Sequence, residues 1–151
     1  EHPAGTGMRT HRLLQETLIP VCHPALLGKG EEPPSLDHLF RLHRRQNPDA
    51  WQHYARETGI ALTNPAIGPR YDLHIMLIEA ALAGLGVALV PRLYVETELA
   101  EGRLVAPWPE GQSISKTFCL VLPELIRLSD GPLQAFANWL LAEARTASPP
   151  L

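Results

Sequence analysis

A chain of 151 residues with 45% apolar and 19% charged side chains fits one globular domain, since about 150 residues bury roughly 68 to 70% of the unfolded surface. A net charge of −3 excludes a chain that itself grips phosphate backbones, which carries a basic stripe, and no apolar run reaches membrane-spanning length. No signal peptide is visible, but the first residue is Glu1 rather than methionine, so the sequence does not define its true N-terminus.

Glu1 to Thr10 reads as a loose polar entry, and Leu13, Leu14, Leu18, Ile19, Val21 and Cys22 read as one strand handing over to another. His23 and Pro24 open a helical turn that ends at Gly28, and Lys29 to Pro34 is a linker loop. Ser35 caps a further turn, and Leu39 to His43 alternates as a short strand does. Asn47 as cap, Pro48 at the first position, Asp49 in the first turn and Gly59 after the last delimit a helix of about three turns. Its buried face is Trp51, Tyr54, Ala55 and Thr58. The loop His43 to Gln46 therefore joins a strand end to a helix start, the edge where open α/β sheets place their ligands. Arg44 and Arg45 there can hold a carboxylate through charge-assisted bonds; a solvated loop uses arginines as readily, so both readings stand.

The loop Asn64 to Tyr71 carries a short buried strand around Ala66 to Gly68 and leads to the central stretch of the chain, YDLHIMLIEAALAGLGVALVP, Tyr71 to Pro91. From Leu73 to Leu85 only His74, Glu79 and Gly84 interrupt the apolar or small residues, so this helix must be covered on most sides. Asp72 is its cap and Gly86 its left-handed stop. Val87 to Val90 is a strand covered on both faces, and Pro91 ends it. Helix, glycine turn and buried strand make an α/β unit with a mostly parallel sheet. The amides of His74 and Ile75, at the positive end of the helix, face outward and suit an anion; alternatively Asp72 already satisfies them and leaves no room. A short helix then runs through Leu93, Val95 and Leu99 to Gly102, Arg103 to Ala106 is strand-like, Pro107 to Ser115 is a polar loop, and Thr117 to Leu122 is a buried strand. Asp130, Gly131 and Pro132 start the last helix, whose stripe of Leu133, Phe136, Ala137, Leu140, Leu141 and Ala144 demands a partner, in this chain or in a second copy.

The run AALAGLGVALVP, followed by ELAEGRLVAPWP and PLQAFANWLLAEA and preceded by RLLQETLIPVCHPALLG and PDAW, resembles the effector-binding region of LysR-type transcriptional regulators. It is most similar to the branch of glycine-cleavage activators, and the resemblance covers Met8 to Arg145. It implies a bilobed fold like that of type II periplasmic binding proteins with a small effector held between lobes; the arginines and the helix start make that effector anionic, the C-terminal stripe points to a homodimer or larger assembly, and two unpaired cysteines fit a reducing cytoplasm. DNA is then read by a separate winged helix-turn-helix; that head and most of the first lobe would precede Glu1. On this pattern residues 1–16 end the first lobe, 17–116 form the second lobe, and 117–151 carry the return crossover and C-terminal helix. The candidate ligand-binding residues are His23, Arg44, Arg45, Trp51, Tyr71, Asp72, His74 and Pro91, with Tyr71, Asp72 and His74 lining the second-lobe wall.

No catalytic pattern is present. His2, His11, His23, His38, His43, His53 and His74 form no HExxH and no i, i+4 pair, and there is no CxxC, GxSxG, Walker loop or GxGxxG. The glycines of GLGVAL follow a helix and precede a strand, the reverse of a dinucleotide fingerprint. No enzyme, cofactor or metal site is expected. Cys22 and Cys119 read as buried thiols; the resemblance adds the alternative of a peroxide-sensing pair, though no cation cluster flanks either. A solute-binding component of a transporter shares the bilobed architecture and is the rival functional class.

Overall fold

The computed structural model describes residues 7–28, 30, 32–123 and 131–147, without the side chains of 112–116, 123 and 147. The apolar run near the N-terminus forms one continuous strand, Met8–Val21 (β1), rather than two in succession. It is followed by Arg41–Arg44 (β2), Ala50–Thr58 (α1), Arg70–Tyr71 (β3), His74–Leu82 (α2), Val87–Pro91 (β4), Glu96–Ala100 (α3), Gly111–Pro123 (β5) and Pro132–Ala147 (α4). The strands form one sheet in the order β3-β2-β4-β1-β5. β2 runs parallel to β3, with Arg44 opposite Tyr71, and parallel to β4, with Leu42 opposite Ala88. β1 runs antiparallel to β4, with Val21 opposite Ala88. The parallel unit expected around Val87 is present, closed on its other side by a strand from far earlier in the chain.

Thr17–Ser115 form one compact unit, and the N-terminal half of β1, the C-terminal part of β5 and α4 belong to another. In the larger unit the strand period of two sends alternate residues to opposite faces. Ile19, Val21, Leu42, Ala88 and Val90 meet Leu77, Ile78, Ala80 and Ala81 of α2 on one face. Leu18, Cys22, Val87 and Leu89 meet Ala50, Trp51 and Tyr54 of α1 on the other. β4 is therefore buried along its whole length, as its unbroken apolar run requires. Each fully buried large apolar side chain here, such as Leu77 or Val90, contributes about 1.5 to 3 kcal/mol relative to exposure.

Local signals held at several ends. Gly59 closes α1 in the left-handed conformation, φ 72°, and the Ser35 hydroxyl accepts from the Asp37 amide at 3.3 Å. The turn Pro24–Leu27 stands before Gly28 as expected. Other ends differ. α1 starts at Ala50, one residue after Asp49, and has no side-chain cap. α2 begins after Leu73, not Asp72. The left-handed stop of α2 is Gly84, φ 73°. Gly86 serves a close approach instead, because a Cβ there would stand 2.3 Å from the Phe40 carbonyl oxygen.

The central helix is not covered on most sides: its sheet-facing residues are buried, while Leu73, Ile75 and Met76 are exposed. A single sheet face covers one stripe of a helix only. Ala66 to Gly68 is no strand, and the edge strand comes at Arg70 and Tyr71. Arg103 to Ala106 is reduced to one bridge between Cys22 and Val105, and β5 already begins at Gly111, inside the expected loop. The helix expected after Pro91 is split into a 3-10 turn, Arg92–Tyr94, and α3. β1 takes in Met8 to Thr10, part of the expected loose entry. Within its own unit α4 buries Ala137 and Ala144 but leaves Leu133 and Phe136 exposed, the latter ring 5.8 Å from that of Trp139. Asp130, expected to start this helix, lies outside the described residues.

Candidate functional site

Because β2, β3 and β4 are parallel, their C-terminal ends reach one edge of the sheet together, bringing Arg44, Tyr71 and Pro91 to that edge. The N-terminus of α2 starts two residues after β3, so His74 joins them. The Arg44 guanidinium Nη1 lies 3.2 Å from Nε2 and 3.5 Å from Nδ1 of His74, against the edge of the imidazole that carries both nitrogens. Its Nη2 donates to Gln46 Oε1 at 2.6 Å. Arg44 Nε is buried and, among the described residues, has no hydrogen-bond partner. The His74 ring also meets Tyr94 edge-on, with centroids 5.3 Å apart at 62°.

Arg45 continues the ladder by donating its amide to Tyr71 O at 2.8 Å. Its Nε reaches Asp72 Oδ1 at 2.8 Å, and both side chains are about two-thirds exposed. Such a surface pair contributes at most about 1 kcal/mol, so a competing carboxylate displaces Asp72 at small cost. With its carboxylate turned to Arg45, Asp72 is not the cap of α2; that position is Leu73, whose apolar side chain makes no capping bond. The edge thus offers two guanidinium groups, the start of a helix and the flat rings of Tyr71, His74 and Tyr94. This arrangement can orient a small anion.

A family model described as the LysR substrate binding domain matches residues 1–145. This chain belongs to that family. The LysR domain is 35% identical over 142 residues to the glycine cleavage system transcriptional activator of Escherichia coli, covering 91% of this chain and 46% of that protein. It is 34% identical over 144 residues to the regulator TrpI of Pseudomonas aeruginosa, covering 93% of this chain and 48% of TrpI. The chain therefore spans about half the length of the curated relatives it matches. Among solved structures, the effector domain of the regulator AmpR from Pseudomonas aeruginosa superimposes with a TM-score of 0.69 at 26% identity, over 95% of this chain and 68% of that one. The AmpR effector-binding domain of Citrobacter freundii gives 0.70 at 23% identity, over 95% and 70%, and so speaks for the fold. These neighbours carry the type II periplasmic-binding-protein-like fold, the α/β architecture expected from the sequence.

Within this LysR domain, two of the expected ligand residues lie elsewhere. His23 follows β1, which is antiparallel to β4, so it leaves the sheet at the opposite edge, within 4.0 Å of where a Gly84 side chain would begin. There its Nδ1 accepts from the Ala25 amide at 3.2 Å and caps a turn. Trp51 is 1% exposed, donates to Leu42 O at 3.0 Å and packs edge-on against Tyr54 inside the core. Its role is to hold β2 from beneath. Pro91 is at the right edge but buried against the sheet, opposite Leu18. Gln46 and Tyr94 were not singled out from the sequence; Gln46 was legible as part of the same strand-to-helix loop, whereas nothing near Tyr94 marked it.

Both cysteines are free, Cys22 buried and Cys119 exposed. Burial pushes the Cys22 thiol up to about 11, so it is a poor nucleophile at neutral pH. Among the described residues no three His, Cys, Asp or Glu side chains stand together as a metal site, and no helix is long and apolar enough to cross a membrane.

Proposed function

We propose that this domain senses a small, anionic metabolite for a LysR-type transcriptional regulator, taking the ligand's carboxylate at the edge formed by Arg44, Arg45, Tyr71 and the start of α2. Closure of the two lobes of the full regulator on that metabolite would change how a winged helix-turn-helix, preceding this chain, sits on DNA. That is a differential-affinity mechanism in a cytoplasmic homodimer. The observation that carries the reading is Arg44 Nε, buried and without a hydrogen-bond partner among the described residues, at the start of α2. The relatives named for glycine cleavage make glycine the first probe. A transporter's solute-binding component shares the fold, but the relatives are transcriptional regulators; a signal peptide in the reading frame upstream would favour the transporter.

Calorimetry of the chain with glycine, other amino acids and small carboxylates, carried into the millimolar range, tests the site. Charge-assisted hydrogen bonds of about 1.5 to 3 kcal/mol mean that Arg44→Ala weakens a bound carboxylate by at least about tenfold. Binding that Arg44→Ala leaves unchanged, or no binding across the panel, would refute the assignment.

A further inference from the structure

On the α1-side face of the larger unit, β1 and β4 present apolar residues such as Leu18, Val87 and Leu89, whereas β2 presents Arg41 and His43. Among the described residues, Arg41 and His43 are the polar side chains that are buried, at 6% and 1% exposure. Both are spent on the irregular connection between α1 and β3. Arg41 Nη2 donates to Thr63 O at 2.9 Å and Asn64 O at 3.3 Å, and its Nη1 donates to Leu36 O at 2.9 Å. Asp37, 3.5 Å from Arg41, accepts the Thr63 amide at 2.6 Å. His43 Nε2 stands 3.1 Å from Ile67 O. A carbonyl only accepts, so Nε2 carries the proton. The His43 amide donates to Pro69 O at 2.8 Å. Gly68 lies so close that a Cβ there would be 1.9 Å from Arg41 O and 2.7 Å from the His43 ring.

We propose that Arg41 and His43 form a clasp on the connection from Thr63 to Pro69, that this clasp positions the Tyr71 to His74 wall, and that protonation of His43 releases it, making the order of that wall depend on pH. The second ring nitrogen, Nδ1, is buried and, among the described residues, has no hydrogen-bond partner. A second proton would have to go there, as an unpaired buried charge. The charges acting on the ring are Arg70 from β3 and Arg41 from its own strand, both cations. β4 presents Val87 and Ala88 to β2, α1 presents Trp51 over it, and His74 of α2 engages Arg44. Burial holds His43 below the ordinary histidine range; its bond to Ile67 O opposes that shift, and Arg70 and then Arg41 add to it, so the net direction is down. The folded state thus favours the neutral ring. The contribution is complete above the unfolded value near 6.5 and is lost as pH falls from there through the depressed folded value.

The test is amide exchange of the chain between pH 7.5 and 5, read as protection factors without any effector. Protection of Ile67 to Asp72 is expected to hold above pH 6.5 and then to fall by up to about tenfold per pH unit, as one proton allows, while α2 and β4 stay protected. His43→Gln keeps an N–H donor and takes no proton, so its profile is flat. If that variant does not fold, Arg70→Gln, at an exposed position, removes one cation, raises the folded value toward 6.5 and so makes the total loss of protection smaller, with the onset unchanged. A flat wild-type profile, a fall shared equally by α2 and β4, an unchanged fall in His43→Gln, or a total loss that Arg70→Gln does not reduce would each overturn the proposal. That the wall serves a ligand rests on the function proposed above. Exchange read without effector separates the two, since failure of all carboxylates to bind leaves the clasp standing.

Discussion

Gly86→Ala tests the packing that joins α2 to the sheet. The new Cβ would stand 2.3 Å from the Phe40 carbonyl oxygen and 3.1 Å from both Phe40 C and Leu42 Cδ2, against ordinary contacts of at least 3.4 Å. The oxygen cannot step aside, because it accepts the Val87 amide at 2.8 Å and so belongs to the β2–β4 pairing. Relief of about 1 Å therefore parts the strands locally. Overpacking costs about 1 to 3 kcal/mol and a buried bond broken by the shift about 1 to 3 more, for a total of about 2 to 6 kcal/mol, about 4 at mid-range. Gly59→Ala is the control: Gly59 has φ 72° and nothing within 4 Å, so that change costs only the left-handed conformation, about 1 to 2 kcal/mol. Urea unfolding followed by the fluorescence of buried Trp51 and Trp108 reads both. With a slope of about 2 kcal/mol per molar, the midpoint falls by about 2 M for Gly86→Ala and about 0.5 to 1 M for Gly59→Ala. Equal shifts would mean that steric approach at Gly86 is not what holds the helix to the strand.

Two further outcomes follow from buried titratable groups. With its thiol near 11, about one Cys22 in a thousand is thiolate at pH 8; brief alkylation there, read by mass spectrometry, should label Cys119 and spare Cys22 until the protein unfolds, and equal labelling of both would count against the burial. Desolvation pushes the Tyr54 phenol up to about 12. The neutral form is favoured in the fold, so its contribution is complete below pH 10 and is lost as pH rises toward 12. Tyr54→Phe, which gives up the bond to Pro109 O, should flatten that part of an alkaline stability profile, and an unaltered profile would show that another group governs it.

What could be read from the sequence was what short-range chemistry decides. The glycine after α1, the hydroxyl at Ser35, the unbroken apolar run of β4 and the strand-to-helix position of Arg44 and Arg45 each depend on a few neighbouring residues. The failures share a long-range partner. Asp72 has the chemistry of a helix cap, but Arg45, in the turn after β2, takes its carboxylate. His23 leaves the sheet at the opposite edge from Arg44 because β1 runs against β4, a pairing that no local signal in the sequence carries. The alternation from Leu39 to His43 was read as a strand without deciding its faces. The structure puts Arg41 and His43 inward and leaves Phe40 exposed, because backbone carbonyls of a connection some twenty residues later meet the charge. The apolar flank of α2 was expected to be covered on composition alone, yet composition counts apolar residues without counting the surfaces available to them.

The link from α2 to β4 is Ala83 to Gly86, with both glycines committed, one to a turn and one to a contact. One extra residue there would rotate the helix by about 100° or turn the strand over. Helix and strand are in this sense a single lever with no slack in its joint. The start of α2 at His74 and the end of β4 at Pro91 thus share one rim of the sheet, joined by a path that contains no long loop.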